Sequence, residues 1–74
     1  MERKRYLELC QLNAVRPRSV VVQLDGVGYY PVEYRLRFDT SGKTIHTVVL
    51  RDICANSIIN SDLEKVKEYE EKSN

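Results

Sequence analysis

Val32-Glu33-Tyr34-Arg35-Leu36-Arg37-Phe38, then Asp39-Thr40-Ser41-Gly42, then Lys43-Thr44-Ile45-His46-Thr47-Val48-Val49-Leu50-Arg51, is the stretch that decides the fold. Its first part alternates with period two. Val32, Tyr34, Leu36 and Phe38 fall on one face and Glu33, Arg35 and Arg37 on the other, the pattern of a half-buried strand. Four turn-forming residues separate it from a β-branched run, so the two parts predict an antiparallel hairpin. In that second run both faces become apolar near Val48-Val49-Leu50, which predicts a central strand covered from two sides.

Upstream, Ser19-Val20-Val21-Val22-Gln23-Leu24 is strand-like, and Asp25-Gly26 directly after it is a strong hairpin signal, with Gly28 available for a bulge. Pro31 has no N–H for a ladder and so marks a strand start, a bulge or an edge. Residues 3–14 hold no Pro, Gly or β-branched residue and favour a helix. Tyr6, Leu9, Cys10 and Asn13 form its i, i+3, i+4, i+7 stripe, widened by Leu7 and Leu12, and Arg16-Pro17 ends it. A helix of this length is not stable alone and must dock on the sheet.

Downstream, Asp52 to Asn56 reads as a connection and Ser57-Ile58-Ile59-Asn60 as a short fourth strand. Ser61-Asp62-Leu63-Glu64 has the spacing of a capping box, which predicts a short helix over 62–71 with Leu63, Val66 and Tyr69 as its apolar stripe and a fraying tail at 70–74. In that segment the like pair Glu64–Glu68 and the opposite pair Lys67–Glu71 give little net support, and the charges read as a solvated face. The expected architecture is a single small domain over 1–74 of the α+β or mainly β class. It has an N-terminal helix, antiparallel strands within 19–60 forming a four-stranded SH3-like barrel or bent meander sheet, and a short C-terminal helix.

The 74 residues allow one thin core. The hydrophobic fraction of 42% and charged fraction of 31% are those of a folded globular chain. The longest unbroken apolar run is three residues, first at Val20-Val21-Val22, so no transmembrane helix or signal-peptide core is expected and the location expected is cytoplasmic. Net charge is +1, yet residues 1–37 carry seven basic and four acidic side chains while 38–74 carry five basic and seven acidic. The molecule is polarised rather than basic.

Catalysis, cofactors and metals are not expected. Asp25-Gly26-Val27-Gly28 lacks the continuation that would make a phosphate cradle, and there is no Gly-x-Ser-x-Gly. Cys10 and Cys54 are isolated and expected as reduced thiols, Cys10 as a core or near-core side chain, and with one histidine they fall short of a zinc site. His46 as a base would need Asp52 or Cys54 beside it. Two binding surfaces remain. The favoured one is a protein interface at an exposed Tyr29-Tyr30-Pro31, with a second copy of the chain as one candidate partner. The alternative is weak nucleic-acid binding by Arg3, Lys4, Arg5, Arg35 and Arg37 with a tyrosine for stacking, Arg16 and Arg18 lying close by.

Ile45-His46-Thr47-Val48-Val49-Leu50, Ala55-Asn56-Ser57-Ile58 and Leu63-Glu64-Lys65-Val66, with Tyr29-Tyr30-Pro31-Val32 and Arg5-Tyr6-Leu7-Glu8-Leu9-Cys10, resemble small uncharacterised proteins of prophages and integrated mobile elements in Gram-positive gut bacteria. The likeness spans most of residues 3–67. It implies a bacterial cytoplasm and supplies no activity, ligand or site residue.

Overall fold

The computed structural model describes residues 1–69. Helix α1 (Arg3–Val15) precedes β1 (Val22–Leu24), β2 (Val27–Phe38), β3 (Thr44–Asp52) and β4 (Ile58–Asp62); a single 3-10 turn, Leu63–Lys65, then leads into β5 (Val66–Glu68). The result is an α+β domain, mainly β, with one N-terminal helix on an open antiparallel sheet of five strands in the order β4-β3-β2-β1-β5.

The hairpin signals are met. Asp25 and Gly26, with φ of 51° and 79°, form a two-residue turn that sets Leu24 opposite Val27. At Asp39 the side chain makes the turn: Oδ1 accepts the N–H groups of Ser41 and Lys43, both at 2.9 Å, and the Ser41 hydroxyl at 2.6 Å. Gly42 there has φ 85°. These bonds hold the Asp39 carboxyl below the usual carboxylate range, the Ser41 hydroxyl contributing most. Asp52 repeats the device between β3 and β4, accepting from Cys54 N at 2.7 Å and Ala55 N at 2.9 Å.

Several expectations are corrected. The first strand is three residues rather than six, because the register from the Asp25-Gly26 turn would put Val20 opposite Pro31, which has no N–H, and the Val20 N–H is given to Asn13 Oδ1 at 3.4 Å. The bulge falls between Pro31 and Glu33, not at Gly28, where an added Cβ would lie 3.2 Å from both Ile53 and Val21 side chains. Leu7 and Leu12 do not widen the buried stripe; both are exposed.

The expected C-terminal helix is one 3-10 turn, and Val66–Glu68 is a fifth strand pairing Val22–Leu24. Asp62 makes no side-chain capping bond. Short helices have little stability of their own, whereas pairing on the free edge of β1 satisfies backbone groups and buries Val66 completely. The tail at 70–74, and with it Glu71 of the pair Lys67–Glu71, lies outside the described residues.

The fifth strand also sets the shape. β4 and β5 are the opposite edges of the sheet, yet three residues join them. Four inter-strand spacings in a flat sheet cover about 19 Å, while the step from Asp62 to Val66 reaches about 14 Å at full extension and less in a 3-10 turn. The sheet must therefore roll. Inside the roll lie Tyr6, Leu9, Val22, Val48, Leu50, Leu63 and Val66. The Tyr6 hydroxyl reaches the carbonyls beside the bulge, Val49 O at 3.0 Å and Glu33 O at 3.2 Å, donating its one proton to either. Burial pushes its phenol far above the ordinary range.

Candidate interaction surface

β2 is longer than its neighbours, and that excess makes the surface. Along β2, β1 covers only Val27–Tyr29, and along β3, β4 covers only Thr47–Arg51. Leu36–Phe38 and Thr44–His46 therefore pair with each other alone, as a two-stranded ribbon.

On this ribbon the alternation read from sequence holds, but its apolar face is not covered. Leu36 is 45% and Phe38 68% exposed, and no third strand pairs with this part of the hairpin, although Met1 and the 3-10 turn share a groove with Thr44–His46 on its β3 side. Tyr34 packs on the core and stacks on His46, ring centroids 5.9 Å apart, its hydroxyl sharing a hydrogen bond with His46 Nδ1. His46 is thus a partner of Tyr34. Asp52 lies opposite Tyr29 at the far end of β3, held by the Cys54 and Ala55 amides, so the two do not meet.

The Tyr29-Tyr30-Pro31 segment is not the exposed aromatic patch expected from sequence. Pro31 is fully buried, Tyr29 packs against the core, and Tyr30 is half-buried. The cause is helix α1, whose Asn13 side chain donates to Pro31 O at 3.3 Å and draws the segment under the helix. Tyr30 and Pro31 instead line a shallow groove of about 320 Å³ with Cys10, Arg18 and Arg51. Arg51 was not singled out in the sequence because only the register sets it opposite Tyr30. Burial pushes the Cys10 thiol up, which favours its protonated form. Both cysteines are free.

The five cations of the alternative surface are all exposed but are carried by two elements. Arg5 binds Glu68 of β5, Nη2 to Oε1 at 2.8 Å, and Glu8 at 3.1 Å, which raises its pKa. Arg35 binds Glu33 at 2.8 Å. Among the described residues, Arg3, Lys4 and Arg37 have no carboxylate within 4.0 Å, and no hydrogen bond or ion pair joins the helix triplet to the ribbon. The register puts Arg35, Arg37 and Arg51 on one face of the β2–β3 pair.

Other exposed apolar side chains include Leu12 and Val15 on α1, but helix backbone is internally bonded and offers a partner only side chains. The ribbon offers side chains and open backbone together. No described helix is long and apolar enough to cross a membrane. No protein-family model matches the chain, and neither the curated proteins nor the solved structures yield a match.

Proposed function

We propose that the chain is a non-enzymatic binding module that docks a protein partner through the β2–β3 ribbon. The observation that carries this reading is the exposure of Leu36 and Phe38 on a ribbon that extends past the core. Large apolar side chains gathered on one projecting face are the chemistry of a docking surface. Arg35 and Arg37 on the reverse face add steering for an acidic partner. The rolled sheet, with a 3-10 turn between its last two strands, supports reading the domain as a small SH3-like barrel. The same proposal sets the module in a bacterial cytoplasm, in the prophage or mobile-element setting that the resemblance implies.

Site-specific photo-crosslinking tests it. A benzophenone amino acid at position 38 or 36 is expected to give one protein adduct that vanishes with Arg37→Glu, and none from position 7, which is comparably exposed on the helix. Equal labelling from all three positions contradicts the reading.

The groove of Tyr30, Arg18 and Arg51 favours a second reading, weak nucleic-acid binding with help from Arg3, Lys4, Arg5, Arg35 and Arg37. It requires binding that weakens steeply with salt; an anisotropy titration with a labelled single-stranded oligonucleotide showing no change at about 50 mM salt removes it.

A further inference from the structure

The edge of β2 that faces β1 is covered only along part of its length. β1 pairs with Val27, Gly28 and Tyr29. Helix α1 then takes the next outward carbonyl, Asn13 Nδ2 donating to Pro31 O. From Tyr34 to Phe38 this edge has no backbone or side-chain partner among the described residues. In an antiparallel ladder, alternate residues of an edge strand turn N–H and C=O outward, a template for another strand.

Two features select what fits the template. Leu36 and Phe38 present apolar side chains on one face, and Arg35 and Arg37 present guanidinium groups on the other. Arg37 has no carboxylate partner among the described residues, and Arg35 uses only its Nε on Glu33, leaving the rest of its donors free. A second copy fits poorly. Antiparallel self-pairing centred on residue 35, 36 or 37 brings Arg35 onto Arg35, Arg35 onto Arg37, or Arg37 onto Arg37, and like charges directly opposite are destabilising. The other long open edge, β4, carries Asp62 beside Lys65 and one strongly exposed large apolar residue, Ile58, so it lacks this pairing of features.

We infer that the open β2 edge, residues 34–38, accepts an extended segment of another protein as an added strand, with apolar residues opposite Leu36 and Phe38 alternating with acidic residues opposite Arg35 and Arg37. This deepens the proposed function and rests on it. Backbone pairing supplies affinity, and the alternating side chains supply choice of partner.

The test uses fluorescein-labelled synthetic peptides titrated into the full chain by anisotropy. Val-Glu-Val-Glu-Val is expected to bind, and Val-Lys-Val-Lys-Val to bind about tenfold more weakly or worse. The double variant Arg35→Glu, Arg37→Glu is expected to reverse that order, with the core NMR resonances confirming that it folds. Two N-methylated forms of the acidic peptide, blocking alternate amides, are expected to differ: one retains binding and the other loses it, since an added strand bonds through one edge. Absence of binding by the acidic peptide, or equal binding of both methylated forms, overturns strand addition. Crosslinking from position 38 decides separately whether the ribbon docks a partner in another way. Sedimentation of the chain alone showing a dimer that Phe38→Ser dissociates would give the edge to a second copy and overturn the choice of partner.

Discussion

The two ends of β2 both carry large apolar or aromatic side chains and have opposite fates. Over Val27–Pro31 the strand pairs with β1 as far as Tyr29 and with β3 from Tyr29 on, α1 bonds Pro31 O, and every large side chain inward of the turn is at least half-buried. At Leu36–Phe38 the strand is flanked by β3 alone, and residues of the same character stand in solvent. Alternation therefore defines a face, while neighbouring elements decide whether the face is core or surface. The difference also divides labour: one end supplies stability, the other is free to bind.

Truncation should separate the ends most sharply. Tyr6→Ala at the sealed end is expected to cost about 3–5 kcal/mol, enough to unfold so small a domain in urea or heat scans. Phe38→Ser on the ribbon should leave the unfolding midpoint within about 0.5 kcal/mol of the parent while abolishing capture at the ribbon. A large loss of stability from Phe38→Ser would break the division. Tyr6→Phe, which keeps the ring and deletes the donor, should cost about 1 kcal/mol by chemical denaturation, because the carbonyls beside the bulge lose a partner.

A matched pair of glycines sharpens the comparison. Gly26 and Gly42 both have left-handed φ with open space around the missing side chain, so alanine brings a similar strain of about 1–2 kcal/mol at either. At Gly26 the loss should appear in global unfolding. At Gly42 it should appear mainly as faster hydrogen exchange of ribbon amides, with the core amides unchanged.

The smallest effect is set by pH. The Asp39 carboxyl is held below its ordinary value by the bonds it accepts, so its contribution is complete above the unfolded value and is lost as pH falls through the folded one. The Ser41 and Lys43 amides should lose protection on acidification, and Asp39→Asn should weaken them at neutral pH. Core amides should respond little to either change.

Much of the fold was legible because its signals are local. Arg16-Pro17 ends the helix and Asp25-Gly26 turns the first hairpin by their own backbone preferences, with no help from distant residues. The fifth strand was not legible, since Leu63, Val66 and Tyr69 fit a helical stripe and only the vacant edge of β1 makes Val66–Glu68 a strand. The candidate surface was half legible. The alternation turns Arg35 and Arg37 outward, but it also places Phe38 on the face expected to be covered, and it leaves Tyr29-Tyr30-Pro31 at the surface. Both assignments depend on where β1, β4 and α1 stop, which is a property of the assembled register.

Hydrogen exchange on the full chain, read amide by amide with and without the Val-Glu-Val-Glu-Val peptide, tests the division most directly. Amides within 34–38 that the β2–β3 ladder leaves unpaired should exchange freely in the chain alone and slow when the peptide is added, with Val48 and Leu50 protected throughout. Slowing confined to β4, or unpaired ribbon amides already protected without peptide, would contradict it.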